Sequence, residues 1–173
     1  MSAGTVRAAV ASWISGGAIA GLNSVYRAQP WFLDGQKWNL SAQLGSGAVG
    51  FVHIVEETER RITFPAEGPA NTSGAVGQKM VTYTIGFVVL FQYLIPTDPA
   101  SEDVWVDPLD TMLEAIKARL RSDPTLGTGG SPIFQAAQDP NDCHIMHDLP
   151  KRDSGLVMSW NVIEFHADEI LQA

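Results

Sequence analysis

The chain has 173 residues, of which 45% are hydrophobic, and 19 acidic against 11 basic side chains give it a formal net charge of −8. This composition predicts a single folded domain over residues 1–173 and excludes a disordered protein. The acidic balance argues against a general nucleic-acid binder, which needs a basic patch. The single cysteine, Cys143, excludes an internal disulfide.

The first predicted element is a short packed helix within VRAAVASWISGGAIAGL. Thr5 is its predicted N-cap and Gly16-Gly17 its end. A secretion signal is the competing interpretation, but polar residues and glycines interrupt the apolar run. The apolar residues recur instead at helical spacing: Val6, Ala9, Val10, Trp13 and Ile14.

Residues 20–78 predict loops and short strands. Turn signals at Pro30 and Asp34-Gly35 mark residues 20–40 as a loop-rich connector, anchored by three aromatic residues. Two short strands are predicted near residues 49–55 and 61–64, with the charged EETER between them as a turn or an exposed edge. Residues 67–78 are rich in Gly, Ala, Ser, Asn and Pro and predict a mobile loop. The aromatic anchors of the connector are Trp31, Phe32 and Trp38.

The stretch KMVTYTIGFVVLFQYLIP predicts a long strand. Its uncharged part, residues 81–95, is shorter than the roughly 20 residues that a membrane-spanning helix needs. All its odd-numbered positions are large and apolar or aromatic, a period-two pattern typical of a strand. The even face becomes apolar from Val88 onward, so we expect a helix or another subunit to cover it. Val88, Leu90 and Leu94 are therefore candidate subunit contacts.

The strongest predicted helix has Asp107 as its N-cap and Pro108 in the favoured first position, and it ends at Asp123-Pro124. A short strand over residues 133–137, a polar loop around Cys143 and a final strand, LVMSWNVIEFHADEI, follow. Runs of strands with two helices predict an α+β fold, with a mainly antiparallel sheet covered by helices on one face. The helix has one apolar stripe: Leu109, Met112, Leu113, Ile116 and Leu120.

Four motifs with possible chemistry have simpler structural interpretations. GSGAVG, residues 45–50, matches a dinucleotide-binding pattern, but a strand-like segment follows it where a helix is required. CHIMHD contains zinc-ligand types at Cys143, His144, His147 and Asp148, yet lacks a second cysteine pair or a helical HExxH. The acids Asp107, Asp110 and Glu114 share one side of the helix, as solvated acids at helix starts commonly do. The charged stretch ERR, residues 59–61, is either a solvated turn or a contact to a partner. Its candidate contact residues are Arg60 and Arg61.

No cofactor, metal site or catalytic group is therefore predicted, and the chain is not expected to be an enzyme. The order of its segments resembles the tail terminator proteins of long-tailed, siphovirus-like bacteriophages, particularly those of actinobacterial phages. Five stretches carry the resemblance, together covering nearly the whole chain: VRAAVASWI with AGLNSVYRAQP, GSGAVGFVHIVEETERRI, VTYTIGFVVLFQYL, DPLDTMLEAIKARLRSDPTLG and DLPKRDSGLVMSWNVIEFHADEILQA.

The resemblance implies an α/β sandwich that assembles into a homo-hexameric ring. Such a ring caps the tail tube protein, stops tube polymerisation and docks the head-tail connector, or neck, proteins. DNA passes through its channel without specific binding, and no membrane is involved. The protein would belong to the virion tail or neck and assemble in the host cytoplasm.

Two alternatives remain open. One is a different neck component, such as a tail-completion or head-closure protein, which would also form a ring but bind the portal side. The other is a small enzyme that uses Cys143, His144 or His147. The polar loops at residues 67–78 and 139–153 are the candidate docking surfaces, because long loops often carry function.

Overall fold

One continuous β-sheet with two helices on one face makes up the described part of the chain in a computed structural model. The structure describes residues 2–30, 46–62, 78–95, 103–129, 133–137, 142–153 and 155–172. The helices are α1 (Ala3–Ser15) and α2 (Val106–Ser122). The strands are β1 (Leu22–Tyr26), β2 (Gly47–Ile62), β3 (Gln78–Leu94), β4 (Ile133–Ala136), β5 (His144–His147), β6 (Lys151–Asp153) and β7 (Leu156–Gln172).

The strand order is β1-β2-β3-β7-β4, and β5 and β6 also pair with β7. All pairs are antiparallel except β1 with β2. β4, β5 and β6 thus lie one after another along the far edge of β7. The predicted α+β fold with a mainly antiparallel sheet is confirmed.

The predicted long strand is confirmed as β3, at the centre of the sheet. β3 pairs with β7 from Gln78 to Leu94 and with β2 from Gln78 to Gln92. Its odd-numbered side chains from residue 81 to residue 91 are buried on the face that the helices cover, with Tyr83 and Phe87 fully buried. Burying a side chain of this size stabilises the fold by about 1.5–3 kcal/mol.

The two helices are joined by a reciprocal contact between Trp13 and Arg119. The Trp13 indole donates to the Arg119 carbonyl oxygen at 2.8 Å, and Arg119 Nε donates to the Trp13 carbonyl oxygen at 3.1 Å. The Arg119 guanidinium also stacks over the Trp13 ring, 3.6 Å from its centre. All five residues of the predicted α2 stripe are buried beneath this contact, as are Val6, Val10 and Ile14 of α1.

The helix ends differ in part from the prediction. The N-cap of α1 is Ser2, whose side chain accepts from the Thr5 backbone N–H, so the prediction of Thr5 as the cap was wrong. The N-cap of α2 is Trp105, so the prediction that Asp107 caps this helix was wrong. Asp107 lies inside the first turn, where its charge favours the helix dipole. The predicted ends at Gly16 and Asp123 are confirmed.

The sequence pattern missed three strands and split a fourth. β1 lies within the predicted connector, and β5 and β6 lie within the predicted polar loop. Each is short and gains its backbone hydrogen bonds from a long neighbour, which local composition does not reveal. The two strands predicted between residues 49 and 64 form one strand, β2, in which a register shift at Val55 accommodates an extra residue. The predicted aromatic anchors and most of the predicted mobile loop lie outside the described residues.

A second, smaller apolar cluster lies on the sheet face opposite the helices. Val88 and Leu90 are 8% and 0% exposed, and they pack there with Val49 and Phe51. Val88 and Leu90 are thus buried by side chains of neighbouring strands, where the sequence led us to expect a helix or another subunit as the cover. Partly buried neighbours complete the cluster: Tyr26, Trp160 and Val162.

A charge in the central strand should unfold the protein. Phe87→Asp places an unpaired carboxylate where the side chain is 0% exposed, which costs several kcal/mol out of a typical total of about 5–15 kcal/mol. We expect insoluble or unfolded protein by circular dichroism. Leu94→Asp is the matched control, because Leu94 lies in the same strand but is 60% exposed. A folded Phe87→Asp protein would show that this strand is not in the core.

The turn after α2 should make stability depend on pH in the acid range. Hydrogen bonds from the Thr125 hydroxyl and N–H, at 2.7 and 2.8 Å, lower the pKa of Asp123. A lowered folded-state pKa stabilises the protein above the unfolded value of about 3.9, and this contribution is lost as pH falls through the folded value. Asp123→Ala should therefore lower the melting temperature at pH 7 and lose that difference in acid.

Asp123→Asn is the control for this experiment, because it keeps an acceptor oxygen but cannot titrate. The difference in melting temperature between wild type and Asp123→Ala should shrink as pH falls through the lowered pKa of Asp123. A difference that stays constant from pH 7 to pH 3 would contradict a role for the Asp123 charge.

Candidate functional site

One edge of the sheet is exposed over six consecutive residues, 55–60 of β2. We call this stretch the acidic edge. Pairing of β2 with β1 ends at Phe51, whereas pairing with β3 continues to Ile62. Among the described residues, no strand covers the outer side of the acidic edge. All six side chains are exposed, including those directed to the helix side.

Three glutamates give the acidic edge its charge. Glu56 lies on the outer sheet face, and Glu57 and Glu59 lie on the helix side, opposite Tyr83 and Val81. Glu59 forms an ion pair with Lys79 at 2.7 Å, and burial together with the Glu57 carboxylate raises the pKa of Tyr83. Because the Glu59–Lys79 pair is substantially exposed, it contributes about 1 kcal/mol at most.

The predicted contact residues are divided between surface and interior. Arg60 lies on the acidic edge, where Nη2 contacts the Met80 sulfur at 3.8 Å, and Arg61 follows it in β2. Leu94 is 60% exposed at the end of β3. Val88 and Leu90 are buried by residues of their own chain, so they offer little surface to a neighbouring subunit.

The opposite edge of the sheet is also exposed, along β5. His144 and His147 are exposed, and Met146 is 48% exposed. Just before β5, the Cys143 thiol lies near the basic end of α2, since the positive charges of Arg121 and Lys117 partly offset the rise that burial causes in its pKa. The sequence pattern missed this edge because its four residues carry no alternation of apolar and polar types.

A buried polar chain ties β5 to β7. The Asn161 side chain is fully buried, its Nδ2 donates to Ser159 Oγ at 3.1 Å, and its Oδ1 lies 2.9 Å from His147 Nδ1. Since the Asn161 amide nitrogen serves Ser159, its oxygen is the acceptor, and His147 Nδ1 must carry the proton. His147 is thereby held in one orientation as part of the packing of the sheet.

The proposed zinc-ligand cluster does not come together. His144 and His147 are three residues apart in a strand, so their side chains point to opposite faces, aligned with Glu164 and Asn161 respectively. No group of three or more His, Cys, Asp or Glu side chains in the described ranges is arranged to hold a metal ion. Burial raises the pKa of the Cys143 thiol, which opposes the thiolate form that a nucleophile or metal ligand needs.

The glycine pattern of GSGAVG is explained by close packing. β2 begins at Gly47, so the described part of the motif is strand and offers no helix N-terminus to a phosphate. A Cβ at Gly50 would lie 2.2 Å from the Phe87 ring, and one at Gly47 would lie 2.5 Å from the Asn23 side chain. The glycines therefore allow the central strand and β1 to approach β2.

The acids of α2 are likewise surface groups, since Asp107, Asp110 and Glu114 are all exposed. Asp107 also lines a pocket of about 500 Å³ between α2 and the sheet. The walls of this pocket are largely apolar and include Phe91, Tyr93 and Met112. Asp107 is the only carboxylate among the described residues that line this pocket, so they include no carboxylate pair of the kind used in acid–base catalysis.

A scan against protein-family models finds no matching family, and a search of curated proteins finds no match. Neither described helix is long and apolar enough to cross a membrane.

The polar chain at β5 should contribute to stability and not to metal binding. His147→Ala leaves the buried Asn161 oxygen without its partner, so we expect a loss of about 1–3 kcal/mol in denaturant unfolding with the fold retained. His144→Ala, an exposed change in the same strand, and Cys143→Ser should each cost much less. Stoichiometric zinc in the wild-type protein, lost together with stability on chelation, would contradict this assignment.

Proposed function

We propose that this chain is a phage structural protein, the tail terminator of a long-tailed bacteriophage. Six copies form a ring that caps the tail tube, blocks addition of the next tube subunit and presents a docking surface to the neck proteins. The mature protein is part of the virion, at the junction of tail and neck, after assembly in the host cytoplasm. DNA crosses the ring without specific binding.

The acidic edge is the observation that supports this function most directly. A strand with exposed backbone hydrogen-bonding groups is a template for pairing with another chain. A ring needs a heterologous contact, in which two different surfaces of one subunit meet repeatedly around an axis. The described sheet offers two such surfaces, the acidic edge on β2 and the exposed edge along β5.

Two further features favour assembly over catalysis. His147, which the sequence marks as a possible metal ligand, is held by the buried Asn161 side chain and serves packing in the described structure. The net charge of −8 would repel DNA that passes through a channel, which suits transport better than binding. The choice of a tail terminator among possible assemblies rests on the order of the sequence segments, which resembles that of tail terminator proteins.

The proposal predicts a tail-length phenotype. Phages that lack the gene should make normal heads and separate tails of abnormal, often excessive, length, because nothing stops tube polymerisation. Electron microscopy of lysates measures both tail length and attachment. Purified wild-type protein added to such lysates should stop tube growth, and six-membered rings should be visible at tube ends.

Ser12→Ala protein is a suitable control in this complementation, because Ser12 is exposed on α1 and belongs to neither sheet edge, so its change should not alter tail length. Lysates that contain tails of normal length, capped but not joined to heads, would contradict the terminator function and favour a neck connector. Tails of normal length that join heads without the protein would exclude both functions.

A further inference from the structure

We infer that β5 of one copy pairs antiparallel with β1 of a second copy, so that the sheets of neighbouring subunits join edge to edge. This interface rests on the proposed ring and specifies its contact. β1 lies on the same side of the sheet as the acidic edge, and β5 lies on the opposite side. Each copy therefore offers a different edge to each of its two neighbours, which is the heterologous contact that a closed ring requires.

One row of paired residues is apolar across the whole sheet face opposite the helices, from the β1 edge to the β5 edge. It begins at Tyr26, which pairs with Phe51, and ends at Met146, which pairs with Val162. Met146 is 48% exposed, and Trp160 and Val162 line a hollow of about 430 Å³ beside it. Placing Met146 against Tyr26 of the next copy continues the row between subunits. We call these five residues the apolar row: Tyr26, Phe51, Val88, Val162 and Met146.

The backbone of β5 directs the groups of two residues away from its own sheet. The Asp148 N–H donates to the Trp160 carbonyl oxygen at 2.9 Å, so the backbone groups of Asp148 face β7. Because successive residues of a strand face alternate sides, Met146 also faces β7. The N–H and C=O of Ile145 and His147 therefore point outward from the sheet edge.

The backbone of β1 has a matching residue. The Ala48 N–H donates to the Gly21 carbonyl oxygen at 2.7 Å, so Ala48 and, two residues on, Gly50 direct their backbone groups to β1. In a parallel pair, such a residue bonds to the residues before and after the one opposite it. Val25 is opposite Gly50, so its own N–H and C=O point outward. Val25 of one copy and His147 of the next can thus exchange two hydrogen bonds.

The side chains agree with this register. β1 runs parallel to β2 and β7, and β5 runs antiparallel to β7, so the two edges meet in antiparallel orientation. With Val25 opposite His147, antiparallel counting places Tyr26 opposite Met146 and Ser24 opposite Asp148. A thioether beside an aromatic ring is a favourable contact, and a serine hydroxyl can donate to a carboxylate. No like charges meet in these three pairs.

The other register that the backbone allows is less favourable. Only Ile145 and His147 of β5 have outward backbone groups, so the alternative places Val25 opposite Ile145. That shift of two residues sets Tyr26 opposite His144 and ends the apolar row at the subunit boundary. The apolar row therefore selects the register in which Val25 is opposite His147, with no displacement of one copy along the strands of the other.

No described strand of one sheet overlaps a strand of the next in this arrangement. β4, β5 and β6 all pair with β7, so they form one column at the edge of the first copy. β1 of the second copy forms the next column, and β2 of that copy forms the one after it. The acidic edge consequently faces β4 of the first copy across an opening of about 10 Å, or two strand spacings, and is not paired by this contact.

Cysteine cross-linking tests this interface directly, because the chain has one native cysteine to remove. The test protein carries Ser24→Cys and Asp148→Cys in a Cys143→Ser background. Within one chain, four strand spacings of about 4.8 Å separate these positions, which is too far for an internal disulfide. Oxidation should give a ladder of covalent oligomers up to six chains on a non-reducing gel, at high protein concentration and on tail tubes. Monomer alone would overturn the interface.

Three matched proteins check the edge, the register and the symmetry in the same background. Thr58→Cys with Asp148→Cys probes the acidic edge, and a stronger ladder from it would overturn pairing through β1. Ser24→Cys with His144→Cys moves one cysteine four residues, or about 13 Å, along the strand and should cross-link weakly. Equal or better cross-linking of that pair would overturn the register. Ser24→Cys alone should stay monomeric, and strong dimerisation would overturn the interface in favour of a two-fold contact.

A charge in the apolar row tests the contact without cross-linking. Met146→Asp places a carboxylate opposite Tyr26 of the next copy, so ring formation should require about tenfold more protein or fail, because an unpaired carboxylate is costly to bury. Val55→Asp is the matched control, since Val55 is similarly exposed, at 55%, but begins the acidic edge. Circular dichroism should show both variants folded. Rings from Met146→Asp at the wild-type concentration would overturn the contact.

The outcomes separate this interface from the proposed function. Six-membered rings by electron microscopy without any cross-linked ladder would overturn the interface and leave the terminator function standing. A ladder from a protein whose absence leaves tail length unchanged would support the interface and contradict the function. Absence of both rings and ladder, at high concentration and on tubes, would overturn the interface and the ring together.

Discussion

The described structure depends on the double pairing of β3. This strand bonds to β7 over all seventeen of its residues and to β2 over most of them. A central strand without a partner on either side would bury unpaired backbone groups, each costing about 1–3 kcal/mol. β2 and β7 are therefore as long as β3, whatever their own composition favours. Two exposed sheet edges are the consequence.

The helices add the second layer, but on one face. The contact between Trp13 and Arg119 joins the C-terminal ends of α1 and α2 by two hydrogen bonds and a stacked cation. Gly127 closes against the same ring, since a Cβ there would lie 3.2 Å from Trp13. The opposite sheet face has the small cluster around Leu90 at one end and polar side chains such as Thr82 and Asp168 at the other. One face of the sheet is thus buried by the helices, and the other carries both apolar and polar side chains.

Elements with a strong periodic pattern were predictable from the sequence, and elements that depend on a neighbour were not. The alternation in β3 and the stripe from Leu109 to Leu120 each reflect a buried face, so the pattern and the structure agree. EETER lacks such a pattern because its side chains are exposed on both faces, yet β3 continues alongside and holds it in strand form. β5 is strand because β7 offers hydrogen bonds, which its own four residues do not indicate.

The same reasoning explains why the candidate site was only partly foreseen. Arg60 and Arg61, which are charged, lie on or beside the acidic edge. Val88 and Leu90 were predicted as contacts because they are apolar, but they are buried inside their own chain. Apolarity on a strand does not distinguish a cluster within one subunit from a contact between two. Exposure of a regular strand does make that distinction, and it becomes visible only in the folded sheet.

The charges on the acidic edge also bear on specificity. An uncharged exposed edge pairs with almost any strand, so proteins commonly protect such edges with charged side chains. Here the glutamates oppose pairing with a second acidic edge, and Val55 sits at a bulge that interrupts the regular ladder. An edge with these charges and this bulge pairs poorly with an arbitrary strand and needs a partner whose side chains complement its charges.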